Sequence, residues 1–118
     1  SRRASVEEAA RLLGVDRLAE LPPSRWHEID ALPAPIARRA RHVVREHRRV
    51  IDAVEAISRG DLSRFGALMT ESHASLRDDF DVSVPELDAI VAGALASGAL
   101  GARLTGGGFG GSAIVARA

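Results

Sequence analysis

The sequence predicts an α+β fold, with about four helices packed on one face of a small antiparallel sheet. Three observations carry this. Apolar residues recur at spacings of three and four, between capping residues, from the N-terminus to about residue 95. The period then changes to strand-like alternation over 99–104, and the short apolar run 113–116 reads as a second strand. Finally, apolar residues make up 46% of the chain but aromatics only 3%, so the core is built from Ala, Val, Leu and Ile, which suits packed helices.

Each element has its own signal. Ser5-Val6-Glu7-Glu8 reads as a capping box, followed by Val6, Ala9, Ala10 and Leu13 at helical spacing, with Gly14 as a left-handed C′ residue; this predicts a helix over 6–13. Leu18 and Leu21 mark a short turn before Pro22-Pro23, and Ser24 is a candidate cap for a short helix carrying Trp26 and Ile29. Pro35 is placed to open the longest helix, about 36–58. Its stripe is Ile36, Ala40, Val43, Val44, His47, Val50, Ile51, Val54 and Ile57, and Gly60 ends it. Asp61 caps a further helix with Leu62, Phe65, Leu68, Met69 and Leu76 inward, fading at Asp78-Asp79. Ser83-Val84-Pro85-Glu86 reads as a second capping box, opening a helix with Leu87, Ile90, Val91, Ala94 and Leu95 inward and Gly98 at its end. The two strand segments that follow, joined by a glycine-rich loop, predict a hairpin, and a hairpin needs helix cover to persist in water.

A chain of 118 residues is one domain or part of one. Basic and acidic residues number 16 each, so the expected basic footprint of a nucleic-acid binder is missing, and no polybasic segment points to a membrane. No apolar run approaches the roughly 20 residues that span a bilayer, and the N-terminal residues do not form a signal-peptide core. The expectation is a cytoplasmic protein. All 16 basic residues are Arg, which removes lysine nucleophiles and phosphate-loop lysines, and the lack of Cys removes thiolate chemistry and Cys-based zinc sites.

The densest candidate for function is the run Thr105-Gly106-Gly107-Gly108-Phe109-Gly110-Gly111-Ser112. Backbone without Cβ atoms turns sharply and admits close approach, and successive N–H groups can converge on an anion. Gly106, Gly108 and Gly111 fit the dinucleotide-binding spacing, but that pattern needs a helix after the loop and an acidic residue about 20 positions on. The run also lacks the lysine of a phosphate loop. What remains is a loop that touches a phosphate or braces another phosphate loop, set against a plain glycine-rich turn.

Other candidates read more simply as structure. His42 and His47 are five apart and do not share a face; His47 falls in the apolar stripe and reads as a hydrogen-bonded core residue. His27-Glu28 lacks the second His of a metalloprotease helix. Ser72 and His73 point about 100° apart on a helix, so they read as a buried polar joint between helices and not a nucleophile pair. Asp78, Asp79 and Asp81 suit a solvated helix end better than a cation site, and Arg38, Arg39, Arg41, Arg45, Arg48 and Arg49 suit the wet face of the long helix. No catalytic residue and no metal ligand emerges from this reading.

Three segments, in order, resemble the C-terminal part of the galactokinases, within the GHMP small-molecule kinase superfamily. They are Arg39-Ala40-Arg41-His42-Val43-Val44-Arg45-Glu46; Gly60-Asp61-Leu62 through Glu71-Ser72-His73-Ala74-Ser75-Leu76-Arg77-Asp78-Asp79-Phe80 to Pro85-Glu86-Leu87-Asp88; and Gly101-Ala102-Arg103-Leu104-Thr105 with the glycine run. Leu13-Gly14-Val15 and Leu18 also fit, so the resemblance spans nearly the whole chain. His47, Phe80, Val84 and Ser112 depart from the common Asn, Tyr, Cys and Cys of that pattern.

The resemblance implies a partial domain over 1–118, like the C-terminal domain of these kinases, with the N-terminal catalytic domain absent from the sequence. It implies a parent enzyme that uses Mg2+ and ATP to phosphorylate galactose at its anomeric hydroxyl. In that setting Thr105, Gly106, Gly107, Gly108, Gly110 and Gly111 support the ATP phosphate loop, while the main ATP and Mg2+ groups lie in the missing domain. The chain alone is then expected to be inactive, to partner its own N-terminal domain, and to offer a strand edge for homodimers. The alternatives are another sugar or metabolite kinase of the superfamily, or a non-catalytic sensor or interaction module on the same scaffold.

Overall fold

The structure is a computed structural model that describes residues 1–106 and 111–118. Four α-helices, α1 (Arg2–Leu13), α2 (Ala34–Ser58), α3 (Leu62–Asp78) and α4 (Pro85–Ala96), precede strands β1 (Gly101–Thr105) and β2 (Ser112–Ala116). Two 3-10 segments, Leu18–Glu20 and Pro23–Ala31, lie between α1 and α2. The α+β class is as the sequence predicts. The chain divides into two compact units, residues 1–48 and 49–118, each with its own packing.

In the first unit, α1 begins earlier than its capping-box signal. Ser1 is the N-cap, accepting from the Ala4 amide, and Ser5 lies inside the helix with its hydroxyl donating to the Ser1 carbonyl. A hydroxyl that finds a carbonyl one turn back no longer competes for the helix start. Gly14 ends α1 at φ 71°, as its position predicts. The Trp26 segment starts at Pro23, not after Ser24, and is 3-10 throughout. Its Ile29 joins Ala9, Ala10, Leu13, Leu18, Leu21, Ala37, Ala40 and Val44 in an apolar core.

The long stripe of α2 is covered only in part. Ala40 and Val44 are buried, but Val50, Ile51, Val54 and Ile57 are 45–61% exposed. His47, expected in the core, is exposed, and His42 is buried instead. Arg38, Arg45 and Arg48 face solvent as expected, whereas Arg39 is only 8% exposed. Helical period identifies which residues share a face but does not say how far along the helix that face stays covered.

The second unit is built around β1. Asp61 caps α3 through the Arg64 amide, as predicted. The second capping box does not form: Val84 is the N-cap of α4, and the Ser83 hydroxyl donates to Asp88 instead. Leu87 and Val91 are buried as expected, but Ile90 is exposed. β1 and β2 pair antiparallel in the register Gly101 to Ala116 through Thr105 to Ser112. Leu76, Val82, Leu87 and Leu104 form the core, with Phe80, Val84 and Ala113 against it, so α3 and α4 supply the cover that the hairpin needs.

Two glycines set how closely α3 meets β1. A Cβ at Gly66 would collide with the Leu100 backbone, and one at Gly101 would collide with the Gly66 backbone. Helix and strand therefore touch main chain to main chain, which only glycine at both positions permits.

Candidate functional site: the hairpin that carries the glycine run

The glycine run joins β1 to β2. Its described ends are Thr105, Gly106 and Gly111–Ser112; Gly107, Gly108 and Gly110 lie outside the described residues. Gly106 leaves β1 at φ 76°, where an L side chain is strained, and among the described residues nothing stands within 4 Å of where a Cβ would project. Thr105 is half-buried and pairs with Ser112, so the two ends of the run lie side by side on neighbouring strands.

The other edge of β1 is held by side chains of α3. The Ala102 amide donates to Thr70 Oγ1 at 3.3 Å, and the Leu104 amide donates to His73 Nδ1 at 3.0 Å. Between them, Arg103 donates to Ser72 Oγ at 3.0 Å and, through Nε, to the Leu104 carbonyl at 2.9 Å. Residues 70, 72 and 73 of α3 thus meet residues 102, 103 and 104 of β1 in sequence. An unpaired buried amide would be costly, and here α3 takes the place of a third strand.

His73 is 2% exposed. Because Nδ1 accepts from an amide, the ring proton sits on Nε2, which lies 2.8 Å from Asp88 Oδ1 on α4. Asp88 Oδ1 also accepts from Ser83 Oγ at 2.7 Å. Burial, the largest influence on this carboxyl, acts to raise it. Hydrogen bonds from Ser83 and His73, with the positive charge of Arg77, outweigh burial and hold Asp88 below the ordinary carboxylate value. Nearby, Arg77 and Asp78 form an exposed ion pair whose hydrogen bond lowers the Asp78 carboxyl.

The expected polar joint at Ser72 and His73 is therefore present, and it reaches further than a helix–helix joint: it ties α3 to α4 and to the strand that feeds the glycine run. Asp88 and Ser83 carried no sequence signal for this role, since Ser83 read as a cap. Gly66 was the available clue, because a glycine inside an otherwise regular helix usually marks a close packing contact. His27 is exposed. Among the described residues, no group of three or more His, Asp or Glu is arranged to hold a metal ion.

A glycine run on a braced β-hairpin, packed under two helices, defines a class. Residues 53–116 match the family model described as GHMP kinases C terminal, and the chain belongs to that family. Within it, the similarity is to galactokinases: the chain is 52% identical to that of Streptomyces coelicolor and 50% identical to that of Homo sapiens, over 97% and 96% of its length. It spans only 30% and 29% of those relatives. Its structure matches that of Lactococcus lactis galactokinase complexed with galactose at a TM-score of 0.87 and 40% identity, covering 97% of this chain and 31% of that one.

Proposed function

We propose that this sequence is the C-terminal part of a galactokinase, whose whole polypeptide transfers the γ-phosphoryl group of ATP to the anomeric hydroxyl of galactose. The observation that carries the reading is similarity to galactokinases along 97% of the chain, glycine run included. Phosphoryl transfer depends chiefly on positioning and on stabilising charge. In this proposal Thr105, Gly106, Gly107, Gly108, Gly110 and Gly111 support the loop that holds the ATP phosphates. The left-handed exit at Gly106, with no described residue beside it within 4 Å, favours such a role, because backbone or phosphate can come close to a residue without a Cβ.

ATP with Mg2+ is the proposed cofactor of the whole protein, with its main binding groups outside residues 1–118. The described residues suit a supporting part: Gly106 offers bare backbone and Thr105 a hydroxyl, with no carboxylate cluster beside them. The proposed partner is the N-terminal domain of the same polypeptide, and the proposed compartment is the cytoplasm, which supplies ATP. No helix among the described residues is long and apolar enough to cross a membrane.

The test is galactose-dependent ATP turnover. The full-length protein carrying this sequence is expected to show it, and the 118-residue chain alone is not. Turnover by the chain alone would overturn the division of labour, and a full-length protein active only on another sugar or metabolite would favour a different kinase of the superfamily. β2 is paired on one side only among the described residues, which supports the further proposal that the chain alone dimerises through this edge. A monomeric mass by light scattering across concentrations would remove it.

A further inference from the structure

We infer that His73 is a positioning residue for the glycine run, acting through the Leu104 amide; this rests on the function proposed above. The side chain is 2% exposed and spends both ring nitrogens, one on β1 and one on Asp88 of α4. A buried polar ring is costly unless both nitrogens are satisfied, and an apolar side chain in its place would leave the Leu104 amide without its acceptor. What the imidazole adds is direction. Its bond to Leu104 fixes β1 along its length, two residues before the chain turns at Gly106.

The chain of contacts gives that direction a fixed origin. Ser83 donates to Asp88, Asp88 accepts from His73 Nε2, and His73 Nδ1 accepts from Leu104. The ring is thus held in one tautomer and one orientation by a group on a different helix. The close approach of Gly66 and Gly101 brings α3 near enough for Thr70 and His73 to reach the strand's amides. Strand slippage along α3 would break the Thr70 and His73 bonds together. His73 therefore sets where the first end of the glycine run, Thr105–Gly106, stands relative to α3 and α4. In the whole enzyme that setting governs how the run meets the ATP phosphate loop, not how the sugar binds.

Two near-isosteres separate the two jobs of the ring. In His73→Asn, the amide oxygen falls close to the Nδ1 position and keeps an acceptor for Leu104 while losing Asp88. In His73→Gln, the amide falls close to the Nε2 position and keeps the Asp88 partner while losing Leu104. In the full-length protein, His73→Gln is expected to raise KM for ATP about fivefold, the equivalent of one lost hydrogen bond. His73→Asn should keep that KM near the wild-type value, and KM for galactose should hold in both. A merely structural role would instead lower the folded fraction, and so the apparent kcat, of both variants with KM for ATP unchanged, and that result would overturn the inference.

The same question has a readout independent of turnover. In the 118-residue chain, nitrogen-15 spectra of labelled histidine are expected to show His73 bare at Nδ1 and protonated at Nε2, with Leu104 among the slowest-exchanging amides. The Gly106 amide shift should move in His73→Gln and stay in His73→Asn. A proton on Nδ1, or a fast-exchanging Leu104 amide, would overturn the inference even if the variants fail to fold. Should the full-length protein show no galactose-dependent turnover, the proposed function falls, and the spectra still decide whether His73 holds the strand.

Discussion

Residues 1–48 and 49–118 hold themselves together in different ways. The first unit has a broad apolar core of Ala, Leu, Ile and Val from α1, the 3-10 segments and the first half of α2. Polar side chains tie this unit too: Arg25 donates to the Leu13 carbonyl and to Glu28, the Trp26 indole donates to the Leu21 carbonyl, and Arg41 pairs with Asp30. The second unit buries Leu68, Met69, Leu76, Val82, Leu87, Val91, Ala102 and Leu104, and adds a polar brace of Thr70, Ser72, His73 and Asp88 around one strand. Apolar packing is non-directional and tolerates small shifts, whereas hydrogen bonds fix position. In the unit that carries the glycine run, those hydrogen bonds converge on one strand.

The largest test of that difference is Gly101→Ala. Its new Cβ meets the Gly66 main chain, which cannot rotate away, so a loss upward of about 3 kcal/mol is expected in urea unfolding. Leu18→Ala, at 2% exposure in the first unit, should cost about 2.5 kcal/mol by the same measurement, through lost burial and a cavity. If both variants cost the same, close backbone contact is not the special feature of the second unit. Thr70→Val keeps shape but removes the acceptor for the Ala102 amide, and about 1 kcal/mol should be lost, with faster exchange of that amide.

The pH response tests the brace of the second unit. The folded Asp88 carboxyl lies below its unfolded value, near 3.9 for an ordinary Asp, so its contribution is present above that pH and is lost as pH falls through the folded value. Acid titration followed by the Leu104 amide signal should show this loss, and Asp88→Asn should flatten it. The smallest effect is expected at the exposed half of the α2 stripe. Val54→Ser, at a site 61% exposed, should change the stability of the chain by less than about 0.5 kcal/mol in thermal unfolding.

Much of this architecture was legible in the sequence. Gly14, Gly60, Asp61 and Gly98 end or start helices where their chemistry predicts, and the change of period at 99–104 correctly announces the hairpin. The readings that failed share a cause. Ser5 and Ser83 both match a capping box, but each hydroxyl found another partner: the Ser1 carbonyl one turn back in one case, and Asp88 in the other. His47 sits in the apolar stripe, yet it is His42 that is buried.

The sequence by itself determined the periodicities, the helix stops, the fold class and the kinship with galactokinases, because these depend on neighbours within a few residues or on the order of motifs. Only the tertiary structure decided that Gly66 must face Gly101, that the apolar stripe of α2 emerges into solvent after Val44, and that His73 spends one nitrogen on Leu104 and the other on Asp88. Those facts join residues 15 to 35 positions apart. Their distances are set by how α3, α4 and β1 pack, and no local pattern encodes that geometry.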